Sequence, residues 1–307
     1  MGLWRHAEPE GKNDVRITEL LFALAGVMSL AAPCAAQESP TLRKITETGV
    51  ISIGFRDNSI PFSFLDKQQR PTGYSIELCY RVVDAIRARL KAPGLEVVLR
   101  PVTAANRTAF VVNDIIDLEC GSTTNTLERQ KELAFSVTTV VAAVSVVSKK
   151  TAQINALQDL KGLTVASTAG TTVIKALEDT NRAHGFGMHL ITRKDHADAF
   201  ALVETDRAAA FVMDDVLLYG LVAAAKDPGT YAIASSNLPV QPYGIVLRKN
   251  DPAFKKVVDD AIVDLFKSGE IVQIYRKWFQ PMQLPMSPAL KRVITAPTDS
   301  GDPADYR

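Results

Sequence analysis

Between residues 50 and 247, apolar runs of strand length alternate with stretches in which apolar side chains return every three or four positions. The short runs predict strands over 50–55, 95–101, 115–120, 140–147, 164–166, 189–191, 208–213 and 244–247. Between the first two, Ile76, Cys79, Val82, Val83, Ile86 and Leu90 fall on one helical face. Near the end, Phe254, Val257, Val258, Ile262 and Leu265 do the same. Strands alternating with amphipathic helices predict an α/β class, with mostly parallel sheets flanked by helices. In open sheets of this kind ligands bind beyond the carboxyl ends of strands, in the loops that lead into helices.

Two places interrupt the alternation. The long apolar run 135–147 ends in Lys149-Lys150, and the polar Ser235-Ser236-Asn237 precedes Gln241-Pro242-Tyr243-Gly244. These are read as two crossings between lobes, the chain leaving the first lobe near Val144 and returning near Val240. The expected division is a discontinuous first lobe over 37–143 and 242–285, a second lobe over 144–241, and a C-terminal tail over 286–307. Prolines and small residues beyond Met282 predict an irregular tail, wrapped on the surface and loose after Thr295.

Residues 1–36 read as a cleaved signal peptide. Lys12 and Arg16 precede an apolar run from Leu20 to Ala32, and Cys34-Ala35-Ala36-Gln37 supplies a small-residue cleavage site, with cleavage expected after Ala36. At about 13 residues the run is short of the roughly 20 that a spanning helix needs. The charged leader is long and contains Glu8, Glu10 and Asp14, so the true start codon lies open. Pro33 stands where a lipoprotein signal would place a small residue. Export leaves Cys79 and Cys120 in a compartment where disulfides persist; a bridge between them and two separate buried thiols are both compatible with the sequence.

Charge changes the picture by exclusion. The 307 residues carry 35 Lys and Arg against 34 Asp and Glu, a formal net charge of +1, with the two signs interspersed. That provides no basic field for nucleic acid. No metal-ligand cluster, serine-nucleophile motif or glycine-rich nucleotide loop is present, so no cofactor, metal or catalytic residue is expected.

The strand ends carry the chemistry. Arg56 follows the first strand, Asn106-Arg107 the second, and Glu119-Cys120-Gly121-Ser122-Thr123-Thr124-Asn125 with Glu128-Arg129-Gln130 the third. Glycine lets backbone approach a ligand, hydroxyls add donors, and arginine grips a carboxylate through two parallel hydrogen bonds. In the second lobe, Gly170-Thr171-Thr172 and Lys194-Asp195-His196 start helices, and Asp214-Asp215 follows a strand. Singly, each has a bland reading: solvated arginines, threonines or aspartates capping helices, a surface histidine. Their shared position facing one cleft favours a site.

Together, Arg56, Asn106-Arg107, the 119–130 turn, Gly170-Thr171-Thr172, Lys194-Asp195-His196 and Met213-Asp214-Asp215 resemble the periplasmic glutamate/aspartate-binding proteins of ABC transporters, members of the polar amino-acid solute-binding family. The similarity runs from about Leu42 to Phe279 with the motifs in order. It implies a two-lobed periplasmic binding protein fold (type II) joined by a two-strand hinge. It also implies a monomeric, periplasmic, non-enzymatic protein that captures L-glutamate or L-aspartate by cleft closure and hands it to a membrane permease.

Residue by residue, the resemblance implies that Arg129, with Ser122, Thr124 and Thr172, holds the ligand α-carboxylate and that Asp214 receives the α-ammonium. Arg56, Arg107 and His196 would surround the side-chain carboxylate. Ala104 departs from the pattern, standing where these binders usually place a serine, and removes one hydroxyl donor. Three arginines, one aspartate and a histidine complement two carboxylates and one ammonium. Glutamine or asparagine would leave an arginine without an anion in a closed cleft. A binder of such a neutral amino acid, and a periplasmic dehydratase-type enzyme on the same fold, remain the rival readings.

Overall fold

The computed structural model describes residues 39–307; the expected signal peptide and Cys34 lie outside the described residues. Two five-stranded sheets share one plan. The first takes strands from both ends of the described chain, in the spatial order Glu96–Pro101, Val50–Phe55, Leu118–Glu119, Val246–Arg248, Leu133–Phe135. The second runs His189–Arg193, Thr164–Thr168, Ala210–Asp214, Val144–Lys149, Tyr231–Ser235. In each, the first three strands are parallel, the fourth runs opposite to them and the fifth pairs antiparallel with the fourth, so the sheets are mixed. The strands Leu133–Phe135 and Tyr231–Ser235, which short or half-polar stretches conceal, form the two antiparallel edges.

Between the sheets, Val140–Ala142 pairs antiparallel with Gln241–Tyr243, and these two strands carry the chain across and back. The apolar run expected as one strand over 140–147 is thus two strands. It breaks at Ala143, whose N–H donates to the Asp215 carboxylate (3.0 Å) while the chain exchanges one pairing partner for another. Hydrophobicity records burial, and a change of partner inside a buried run leaves no trace in it.

Helix Tyr74–Leu90 buries Ile76, Cys79, Val82, Val83 and Ile86, and helix Pro252–Ser268 buries Phe254, Val257, Val258, Ile262 and Leu265. Each follows the 3.6-residue repeat, and each stops at a left-handed residue, Lys91 and Gly269 respectively. The two helices pack on one another under the first sheet. Cys79 in the first of these helices is bonded to Cys120, beyond strand Leu118–Glu119 (Cα–Cα 6.3 Å). The bond ties a helix to the start of the hydroxyl-rich turn.

The tail differs from expectation. Pro288–Thr295 is a helix capped by the Ser287 hydroxyl, and it buries Leu290 and Val293. Beyond it the chain stays docked. The Thr138 N–H donates to Thr298 O (2.7 Å), Lys255 pairs with Asp299 (3.0 Å), and Tyr306 is buried with its hydroxyl on Thr138 and Ser300. Asn125 Nδ2 and Gln130 Nε2, both from the 119–130 turn, donate to Asp299 O at 2.8 and 2.9 Å. Polar composition concealed this, because many of the contacts that hold the tail go to its backbone carbonyls, which no side-chain pattern reports.

The disulfide closes a loop with a sequence separation of 41. A loop of that length restricts the unfolded chain by about 4 kcal/mol in the chain-entropy account. The expected outcome is that the Cys79→Ala/Cys120→Ala variant unfolds at a denaturant midpoint lowered by roughly that free energy, measured against oxidised wild type. An unchanged midpoint would contradict the assignment.

Candidate functional site

Each expected site residue sits at a strand end or a helix start, held there by local hydrogen bonds. The Arg56 N–H donates to Ser63 Oγ (2.8 Å), seating the residue directly after strand Val50–Phe55. Thr103 and Asn106 exchange two bonds, Thr103 N to Asn106 Oδ1 (2.7 Å) and Asn106 N to Thr103 Oγ1 (3.2 Å), and this knot delivers Arg107. The Arg129 N–H donates to Thr126 Oγ1 and its Nη1 to Thr124 O (2.8 Å), folding the guanidinium back over its own turn.

On the other side, Thr171 caps helix Thr172–His184, freeing the Thr172 hydroxyl to donate to Gln241 Oε1 (2.6 Å). Asp195 caps helix His196–Glu204, so His196 carries no capping duty and its Nδ1 instead bonds Thr168 Oγ1 (2.8 Å). Asp214 precedes helix Asp215–Ala224 without capping it; its carboxylate accepts from the Tyr243 hydroxyl. The bland cap readings therefore hold for Thr171 and Asp195 and fail for Thr172, His196 and Asp214.

The two sides meet. Thr124 Oγ1 and Thr172 Oγ1 are 3.4 Å apart, and Arg129 Nη2 lies 3.4 Å from Gly170 O. Gly170 has φ +75°, and a Cβ there would stand 2.7 Å from Ala105 Cα, so only glycine permits this approach. Ala104, whose carbonyl carbon lies under the same glycine, is buried. Tyr243 is aimed at Asp214 by an edge-to-face cluster in which Phe62 touches Tyr243, Tyr74 and Phe279 (centroids 5.1, 6.2 and 5.7 Å).

All eight expected ligand residues, Arg56, Arg107, Ser122, Thr124, Arg129, Thr172, His196 and Asp214, lie in this one place. Arg107 is its hub: its Nη1 donates to Ser122 O (3.0 Å), and its charge is felt by Arg56, Arg129, His196 and Asp214. Glu119 is the residue that sequence reasoning quoted but did not count. It is fully buried, accepts from Thr123 Oγ1 (2.5 Å), and stands 3.9 Å from Arg107 Nη1. A carboxylate at a strand end was the available signal. Tyr243, Thr168 and Gln241 were missed because nothing local marks them.

The electrostatics are those of a site short of partners. Among the described residues, buried side-chain atoms without a hydrogen-bond partner include Arg56 Nη1, Arg107 Nε, Glu119 Oε1, Ser122 Oγ, His196 Nε2 and Asp214 Oδ1. Each such atom costs about 1–3 kcal/mol, and native cores carry few of them. Burial, then the neighbouring Arg107, brings Arg56 down to about 10 and Arg129 to about 9, which leaves both charged at neutral pH. Burial, then Arg56 and Arg107, hold His196 well below its usual range, so its imidazole is neutral. Burial pushes the Asp214 carboxyl up to about 7 against the pull of its bond from Tyr243.

Residues 51–281 match the bacterial extracellular solute-binding proteins, family 3. The chain is 45% identical over 296 residues to the L-glutamate/L-aspartate-binding protein of Pseudomonas aeruginosa, spanning 93% of this chain and 98% of that protein. It is 41% identical to the glutamate/aspartate import solute-binding protein of Salmonella typhimurium, over 91% of this chain and 95% of that one. Among solved structures, a P235GK mutant of ArgBP from T. maritima superposes with a TM-score of 0.70 at 26% identity, over 78% of this chain and 99% of its own. The matched region ends where the docked tail begins.

Asp214 offers a test of this electrostatic account. Its carboxyl titrates near 7 when folded and near its ordinary value of 3.8 when unfolded. The folded state therefore binds the extra proton between those values, and stability is lost as pH rises through about 7. Asp214→Asn, which keeps an acceptor for Tyr243, is expected to stabilise ligand-free protein at pH 8 by up to about 4 kcal/mol, raising its melting temperature by roughly 8–16 °C, and to converge with wild type only at about pH 4 and below. An equal offset at both pH values would contradict it.

Proposed function

The chain belongs to the bacterial extracellular solute-binding proteins of family 3, and from that premise we propose that it captures an acidic amino acid, L-glutamate or L-aspartate, for a membrane permease of an ABC transporter. The observation that carries the choice of ligand is the set of unpartnered buried polar atoms around Arg107. At one end they are donors on Arg56, Arg107, Ser122 and His196, with one Glu119 carboxylate oxygen among them, and at the other an unpaired carboxylate oxygen of Asp214. A zwitterion with an additional carboxylate supplies acceptors to the donors and an ammonium to Asp214, while Glu119 stays against Arg107.

Arg129, Ser122, Thr124 and Thr172 hold the α-carboxylate, features that every amino acid shares. Asp214 takes the ammonium, which returns its carboxyl to the ionised form. Arg56 and Arg107 grip the distal carboxylate, and neutral His196, its Nδ1 occupied by Thr168, donates from Nε2. Counting Glu119, three guanidiniums face two carboxylates, leaving one net positive charge for a ligand of one net negative charge. Glutamine or asparagine leaves that charge unmatched in a dry site.

The lobes are 37–143 with 242–285, and 144–241. The first captures the ligand through its arginines, and bending at the paired strands Val140–Ala142 and Gln241–Tyr243 brings Thr172, His196 and Asp214 onto it. The closed form docks on the permease as a monomer. Residues 1–36 direct export to the periplasm and are removed. The site is read as non-catalytic: the relatives are solute-binding proteins, and the Thr168 hydroxyl that bonds His196 is fully buried.

Calorimetry of refolded, ligand-free mature protein against the common amino acids is expected to give tight binding with glutamate or aspartate, the ligand being recovered unchanged by NMR. Heat with glutamine alone would sink the acidic reading. Arg129→Ala is expected to abolish binding of every amino acid, whereas Arg107→Ala relaxes selection at the distal group; uniform loss in both would contradict the division of roles. Gly170→Ala is expected to weaken binding about tenfold or more and to blunt ligand-induced compaction in solution scattering, since its Cβ would meet Ala105 Cα at 2.7 Å. Unaltered affinity would exclude closure against Ala104-Ala105.

A further inference from the structure

Glu119 has no counterpart in a simple list of ligand contacts, yet it is the most completely enclosed charge in the site. Its strand is the inner one of the first sheet, registered with Gly54 on one side and Val246 on the other. Its Oε2 accepts from Thr123 Oγ1, while Oε1 has no hydrogen-bond partner and lies 3.9 Å from Arg107 Nη1. The carboxylate is lodged beneath Gly121, where a Cβ would stand 2.2 Å from Glu119 Oε1 and 2.9 Å from Arg56 Cγ. One missing side chain thus makes room for a buried anion against both distal arginines.

We infer that Glu119 is the specificity-determining counter-ion of the distal half-site, limiting the ligand's distal group to a single negative charge. The inference rests on the acidic amino-acid reading above and deepens it. Two guanidiniums without Glu119 would offer two positive charges to the distal group, a match for a dianion such as a phosphate monoester. With Glu119 they offer one, a match for a carboxylate. A dianion placed there meets a fixed carboxylate that has no solvent to screen it and no room to move, and like charges so placed exclude a partner strongly. Neutral His196 leaves this balance unchanged.

The test compares L-glutamate or L-aspartate, whichever binds wild type more tightly, with O-phospho-L-serine, whose phosphate loses its second proton near pH 6. In wild type, binding of phosphoserine relative to the dicarboxylate is expected to weaken about tenfold between pH 5 and pH 8, as the dianion forms. Asp214 sees the same ammonium in both ligands, so its titration cancels in the ratio. Glu119→Gln preserves an acceptor for Thr123 and is expected to move the ratio at pH 8 about tenfold or more toward phosphoserine, while Glu119→Asp retains wild-type selection. A packing role alone would leave the ratio and its pH profile where they are.

A wild-type ratio that is flat with pH, or that rises toward phosphoserine at pH 8, overturns the proposal whether or not Glu119→Gln folds. A folded Glu119→Gln with an unchanged ratio overturns it as well. Failure of wild type to bind either dicarboxylic amino acid would instead defeat the reading of the ligand itself.

Discussion

Burying Arg56 and Arg107 side by side is the constraint on which the rest of this structure depends. Both guanidiniums are almost wholly withdrawn from solvent, at 2% and 3% exposure. Two like charges at low dielectric are tolerated only with compensating anions and fixed dipoles close by. Glu119 supplies the anion, Ser122 O a dipole, and Gly121 the space in which they fit. What remains uncompensated is the charge that the proposed ligand anion would meet. A pocket fully satisfied by its own protein would bind nothing.

The same logic runs across the cleft with the sign reversed. Asp214 is held by a single tyrosine hydroxyl, which leaves one oxygen unpartnered, and burial raises its proton affinity. Tyr243 reaches it from the strand pair that joins the two sheets, and the edge-to-face cluster around Phe62 fixes that ring. The carboxylate proposed to take the ammonium is therefore positioned by the crossing strands themselves. Gly170 then sets how closely the far side approaches, because its positive φ and absent Cβ admit the Ala104-Ala105 backbone. Charge, aromatic packing and one glycine together define a site whose halves belong to different sheets.

Outside the matched family region, residues 282–307 do more than end the chain. Asp299 O receives both Asn125 and Gln130, so the turn that presents Arg129 is braced from behind by the tail. Asn125 and Gln130, both within the hydroxyl-rich turn, face the tail. Their polarity was legible; their direction was not.

Periodicity alone determined the α/β class, the buried faces of helices Tyr74–Leu90 and Pro252–Ser268, and the strands that lead into the site, because burial on one face imposes a repeat that survives in composition. Residue type at strand ends marked the arginines, His196 and Asp214 as candidates, since loops beyond parallel strands are where such groups have room to act. Only the tertiary structure decided which neighbours each group has. The switch of strand partner at Ala143, the counter-charge at Glu119, the Tyr243 bond to Asp214 and the docked tail all join residues far apart in sequence. Pairing between distant groups depends on distance and desolvation, and a linear pattern carries neither.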